Sequence, residues 1–218
     1  MYMCPPDSSY RWRGFPVQFK LHEMNLIYVQ KIYGLIFGAL REHSRWSVIR
    51  FDLHVPRGGC LCSGSISKFI DSVKSQLLAE SLASRAKGGR GHDPMLRYVW
   101  VRETGASGSI HYHVAFLLNR DAYYGVGNYA KLHSEDANYS DLIAGRICKA
   151  WAAALGLHWR EAMRGVHFPE RPVMSLLRDS EMITDQVSAV FYRLSYFAKF
   201  RTKKYGDGWR NFGMSQLR

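Results

Sequence analysis

A chain of 218 residues is long enough for one domain with decorations, or for a domain and a small cap. Its 47% apolar content allows a real core, its longest apolar runs fall far short of the roughly 18 residues that span a bilayer, and residues 1–14 lack the apolar stretch of a signal peptide, so a cytoplasmic location is expected. Lysine and arginine outnumber aspartate and glutamate by 30 to 18, giving a formal charge of +12 and a pI near 9.7, which points to a polyanionic partner, with nucleic acid ahead of a basic protein-binding face.

Residues 1–22 read as extended and irregular, with Pro5, Pro6 and Pro16. Residues 23–43 form a helix, because Leu26, Ile27, Ile32, Leu35, Ile36 and Leu40 share one broad face. A strand over 47–55 follows, rich in alternating and β-branched residues and stopped by Pro56 and the Gly58-Gly59 pair. Residues 65–84 give a second amphipathic helix, running into a basic glycine-rich loop that holds Lys87 and Arg90. Strands over 96–103 and 110–118, joined by the turn TGASGS, make an antiparallel hairpin. A Tyr-, Gly- and Asn-rich loop over 119–138 precedes a helix over 139–155, with Gly156 as its C-terminal cap. Residues 165–177 hold a further strand weakened by Pro169 and Pro172, residues 184–203 the last helix, and 205–218 a loop. This order implies an α+β fold, an antiparallel sheet with helices on one face, with residues 1–44 as an N-terminal helical extension and 45–218 as the main domain.

The four cysteines, Cys4, Cys60, Cys62 and Cys148, include no CxxC pair. They read as free thiols rather than as a zinc site.

His111 and His113 lie two apart on a strand, so both imidazoles project from the same side of the sheet. Paired in that way they can share a divalent ion, although a His-x-His pair is by itself more often an ordinary surface feature. Glu103 ends the preceding strand, directly across the turn. If the hairpin register is of even parity, its carboxylate joins them, and a His-His-Glu set suits Mg²⁺ or Mn²⁺. Asp52 and His54 share a face of the earlier strand and can serve the site or the fold.

In the last helix, Tyr192, Tyr196 and Lys199 stand at i, i+4 and i+7, a narrow stripe that Lys203 extends. Val187, Phe191, Leu194 and Ala198 form a separate stripe that can pack on the sheet. A tyrosyl oxygen can attack a phosphodiester, but with an ordinary phenol pKa near 10 it needs a metal and in-line placement. The run Arg193, Lys199, Arg201, Lys203 and Lys204 contains no acid, as a DNA-facing helix end requires; a solvated amphipathic shoulder is the plainer reading of the same residues.

Taken together, RFDLHVP (50–56), YVWVRE (98–103), IHYHVAFLLN (110–119), FYRLSYFAKF (191–200) and RNFGMS (210–215) resemble the HUH endonuclease superfamily. More closely, they are similar to the filamentous-phage (inovirus-type) replication proteins, including the YagK/YfjJ group of bacterial prophages. The resemblance implies a ferredoxin-like sheet with the metal site on its open face. It makes His111 and His113 metal ligands with Glu103 as third, Tyr196 the nucleophile and Lys199 its companion. The implied reaction is strand-specific nicking of single-stranded or origin DNA inside a bacterial host, starting rolling-circle replication through a 5′-phosphotyrosyl link. Tyr192 would be a second nucleophile in a two-tyrosine scheme, or a packing residue, because Ser195 stands where such helices often carry lysine. The chain has no GxxxxGK[ST] loop, so a host helicase and polymerase are expected partners. Lys87 and Arg90 are expected to hold DNA flanking the nick. Two alternatives stay open: a non-catalytic DNA-binding regulator on the same fold, and a transposase or relaxase with the same chemistry.

Overall fold

The computed structural model of the chain describes residues 8–89, 92–105, 107–129, 132 and 142–216. It begins with a small hairpin, β1 (Arg11–Trp12) and β2 (Phe15–Pro16), followed by helix α1 (Leu26–Glu42), strand β3 (Arg45–His54) and helix α2 (Ser65–Ala86). Strands β4 (Leu96–Thr104) and β5 (Ile110–Asn119) come next, then helices α3 (Ile143–Leu155) and α4 (Trp159–Ala162). Strands β6 (Val166–His167) and β7 (Val173–Leu177), helix α5 (Ile183–Ser195) and strand β8 (Phe212–Met214) complete the order. In the sheet β3, β5, β4 and β8 lie side by side, β6 and β7 both pair with the outer edge of β3, and all pairings are antiparallel. The α+β class with an antiparallel sheet is therefore present.

The helices, however, are divided between both faces of the sheet rather than gathered on one. Ile49, Phe51 and Leu53 of β3 and Tyr112, Val114, Phe116 and Leu118 of β5 bury against α2 and α3. The alternate residues, Trp46 and Val48 of β3, Val99 and Val101 of β4, and Ala115 and Leu117 of β5, bury against α1 and α5. Period-two alternation of apolar residues on both sides makes the central strands hydrophobic throughout, as a sheet covered twice requires. Burying a Val, Leu, Ile or Phe side chain contributes roughly 1.5–3 kcal/mol, so both layers hold the fold. Asn25 caps α1, its side chain accepting from Ile27 and Tyr28 N–H. Gly156 ends α3 at φ 71°, as its position suggested.

Two expected elements change. The last helix was expected to run to residue 203, but α5 stops at Ser195 and a single 3-10 turn, Tyr196–Ala198, follows. Tertiary bonds win over helical continuation here. Ser195 Oγ donates back to Tyr192 O and accepts from Gln18 N–H, and Asn25 N–H and Phe200 N–H bond Ala198 O and Glu23 O. The second change is at the C-terminal end, expected as loop, where β8 pairs with β4. Arg102 draws this segment in: fully buried, it donates to both Asp207 carboxylate oxygens, to Asn211 Oδ1 and to Lys204 O. The helix expected over 139–155 is seen from Ile143; its first residues, like Cys4 and Arg90, lie outside the described residues.

β8 depends on a glycine. A Cβ at Gly213 would stand 2.5–2.7 Å from atoms of the Trp100 indole, which is itself buried. Gly213→Ala is expected to cost about 1–3 kcal/mol through overpacking. Urea unfolding checks this, and a midpoint equal to wild type would show that the indole moves aside freely.

Candidate metal and tyrosine site

Parity assembles the site. Glu103 faces His111 in the β4–β5 register, and Asp52 faces His113 in the β3–β5 register. Glu103, His111 and His113 therefore stand on the face that α1 and α5 cover. Each offers one ligand atom, and the three atoms lie within 4.8 Å of one another. Glu103 Oε2 is 3.3 Å from His113 Nε2 and 3.8 Å from His111 Nε2. Glu103 and His113 are buried and His111 is half-buried.

The donor set fits a metal ion on the atoms themselves. Asp52 Oδ1 lies 2.6 Å from His113 Nδ1, which fixes the ring and leaves Nε2 as the outward nitrogen. That nitrogen is buried, with Glu103 Oε2 3.3 Å away but not in good hydrogen-bond geometry. A carboxylate behind a histidine, with the far nitrogen facing a second carboxylate, is how ligating imidazoles are oriented. The electrostatics agree. Burial opposes charge on His113, but Asp52 and Glu103 outweigh it and raise its pKa, so a cation at Nε2 is favoured there. On His111 burial, then the neighbouring His113 and His54, lower the pKa and keep the ring neutral for ligation. Burial works against the Glu103 carboxylate too, yet His113 and Lys203 hold its pKa far below the usual range, so it stays ionised.

Two lysines complete the cluster. Lys203 Nζ is 2.7 Å from Glu103 Oε1, and Lys199 Nζ is 2.9 Å from Oε2. Lys199 Nζ also donates to Tyr196 Oη and lies 3.8 Å from the centre of its ring. The Tyr196 ring packs edge-on to His113, with centroids 5.2 Å apart, and touches Phe19 on another side. Because α5 has already ended, a 3-10 turn sets Tyr196 and Lys199 in these positions, not a helical stripe.

Other expected site residues are distributed differently. Lys203, expected to face DNA, is instead buried as the partner of Glu103. It arrives there because residues 202–214 run along β4, with Thr104 N–H bonded to Thr202 O and Arg102 N–H to Asn211 O. Arg201 and Lys204 are exposed. Arg193 donates to Arg171 O and Glu170 O. Tyr192 has no ring contact or side-chain hydrogen bond to the cluster among the described residues, and its carbonyl accepts from Gln18 and Ser195. Lys87 is exposed but follows α2, on the opposite face; from there the chain enters β4 at Leu96, about 23 Å along the strand from Glu103. His54 stacks on His111, with ring centroids 5.1 Å apart. Arg50, which sequence reasoning passed over, carries its guanidinium 5.2 Å from the centre of the Tyr196 ring. Its place on the face of Asp52 and His54 was readable from period-two parity.

Residues 15–215 match the model of the family described as YagK/YfjJ C-terminal domain. The chain is 33% identical over 202 residues to "Uncharacterized protein YagK" of Escherichia coli (strain K12), covering 88% of this chain and 93% of the relative. It is 32% identical over 202 residues to "Uncharacterized protein YfjJ" of the same strain, covering 87% and 94%. No solved structure matches.

Proposed function

We propose, for a chain that belongs to the YagK/YfjJ C-terminal domain family, the role of a metal-dependent, tyrosine-mediated single-strand DNA endonuclease of the HUH kind, starting rolling-circle replication of phage or prophage DNA. The relatives' names assign no activity, so the reading rests on the site. One observation carries it: a single ammonium, Lys199, touches both the Tyr196 hydroxyl and the Glu103 carboxylate of the candidate metal cluster. A phenol held against a His-His-carboxylate group by a cation is what phosphodiester transesterification by tyrosine needs.

In this scheme His111, His113 and Glu103 would hold the metal, and Asp52 fixes the His113 ring from behind. Mg²⁺ or Mn²⁺, when bound there, would supply Lewis-acid polarisation of the scissile phosphodiester. Tyr196 Oη attacks phosphorus, the P–O3′ bond breaks, and the 5′-phosphate becomes esterified to tyrosine. The phenol gives up one proton and the departing 3′ oxygen gains one, so the exchange consumes no water and no external energy. The energy of the broken ester is kept in the phosphotyrosine, which allows a later strand to be joined by the reverse step. The freed 3′-hydroxyl is a primer for a host polymerase, with unwinding by a host helicase. Lys199 keeps the phenol oxygen at the cluster, and Lys203 neutralises the buried Glu103 from its other oxygen.

The test is a nicking assay on supercoiled and single-stranded DNA of phage or prophage origin with Mn²⁺ or Mg²⁺. Relaxation with covalent retention of protein on DNA, abolished by EDTA, is the expected outcome. Salt-sensitive DNA binding with no nick on any origin-bearing substrate would favour a non-catalytic regulator instead.

A further inference from the structure

Around Tyr196 the structure gathers more guanidinium charge than the cluster uses. Arg50, on β3, lies over the faces of Tyr196 and Phe197 at 5.2 and 5.8 Å. Its Nε is buried without a hydrogen-bond partner among the described residues. The nearest carboxylate, Asp52, is 3.9 Å from Nη2 and is already engaged by His113 at 2.6 Å. The Arg50 side chain keeps 15% of its surface exposed, so an anion can reach it.

Arg193, a turn before Tyr196 on α5, has the same character. Its two terminal nitrogens are held by backbone carbonyls of Glu170 and Arg171, at 3.0 and 2.8 Å, which fix its position without neutralising it. The backbone turn that presents these carbonyls includes Arg171 at φ 53°, a left-handed conformation uncommon for a side-chain-bearing residue. The Glu170 carboxylate is 91% exposed and points to Arg171, so it does not offset Arg193. Arg50 and Arg193 are close enough to repel: burial, then Arg50, lowers the Arg193 pKa. Two neighbouring guanidiniums beside one carboxylate that His113 already engages are placed to receive an anion.

We propose that Arg50 and Arg193 form a clamp for a backbone phosphate of single-stranded DNA beside Tyr196. The assignment rests on the nuclease reading for the identity of the anion. The fork of a guanidinium matches two phosphate oxygens, and a clamp on this side of the phenol fixes the strand so that phosphorus lies in line with Tyr196 Oη. Arg50 contacts the phosphate and is a catalytic residue; Arg193 sets the register of the strand.

The test separates the clamp from the nuclease reading by measuring binding without chemistry. A labelled single-stranded oligonucleotide of generic sequence is titrated with full-length protein in EDTA over a range of salt, by fluorescence anisotropy. Arg50→Gln and Arg193→Gln are each expected to weaken binding and to reduce the slope of log K against log salt by about 0.7, the value for one lost phosphate contact on a single strand. Arg50→Lys keeps the charge and should keep the slope. With Mn²⁺ restored, Arg50→Gln and Arg50→Lys should both slow adduct formation, Gln by about 10²–10³-fold. A merely structural role would lower the urea midpoint and leave the slopes alone. Unchanged slopes in both glutamine variants, with wild type binding DNA, overturn the clamp and leave the nuclease reading standing. A wild type that does not bind single strands overturns both.

Discussion

Replacing Tyr196 by phenylalanine is expected to abolish the covalent protein–DNA adduct, with a loss of at least about a thousandfold in its rate of formation, because no other group supplies the attacking oxygen. The substitution is well suited to the question. The ring contacts of Tyr196 with His113, Phe19 and Arg50 survive in phenylalanine, and the hydroxyl alone is removed. The urea midpoint should therefore stay close to that of wild type, and metal binding should be retained. Tyr192→Phe should leave adduct formation within a few-fold of wild type, on the order of an ordinary surface change, since the contacts that place Tyr196 at the cluster are not repeated at Tyr192. Denaturing gels of protein trapped on labelled DNA read both variants side by side. Equal losses in the two would favour a two-tyrosine scheme.

The second large effect is expected at Asp52. His113 is oriented by a single carboxylate, and outer partners of ligating histidines typically contribute 10–100-fold to metal affinity. Asp52→Ala should weaken Mn²⁺ binding by about that factor, and His113→Ala, which removes a ligand, by more. Calorimetry or the loss of the free Mn²⁺ signal measures this without DNA. Asp52→Asn should fall between, because the amide oxygen can still accept from Nδ1 but carries no charge. The shift on His113 gives the same experiment a pH arm. Asp52 and Glu103 raise its pKa against the opposing effect of burial, so proton and metal compete at Nε2. Metal affinity should fall as pH drops through the raised pKa of His113, and this dependence should move to lower pH in Asp52→Ala, where one of the carboxylates holding the proton is gone.

Much of the fold and of the candidate site was legible in the sequence where periodicity speaks. Alternation marked β3, β4 and β5, and apolar stripes marked α1, α2 and α5. Glu103, His111 and His113 could be brought together on paper because a short hairpin turn leaves the register few choices, and the register has the parity they need. Elsewhere the deciding contacts are distant in sequence. An apolar stripe on a helix says that it packs, not on which side of the sheet, so coverage of both faces was hidden. The end of α5 is set by Gln18 and by residues 23–25, far away in the chain. β8 is short and centred on a glycine that reads as loop until Trp100 is seen against it. Lys203 lies in a basic run and reads as a surface charge. Its burial against Glu103 depends on the whole path of residues 202–214 beside β4. Lys87 follows α2, which packs on the other face of the sheet, and charge alone does not say on which face a loop falls.

The central claim is that Tyr196 becomes covalently bonded to DNA. Its most direct measurement is mass spectrometry of the peptides released from protein trapped on a nicked single strand in Mn²⁺. The account predicts a 5′-phosphonucleotide on the peptide that contains Tyr196, absent with EDTA and absent in Tyr196→Phe. DNA cleaved with no nucleotide on any peptide, or with the nucleotide on a different residue, would contradict it.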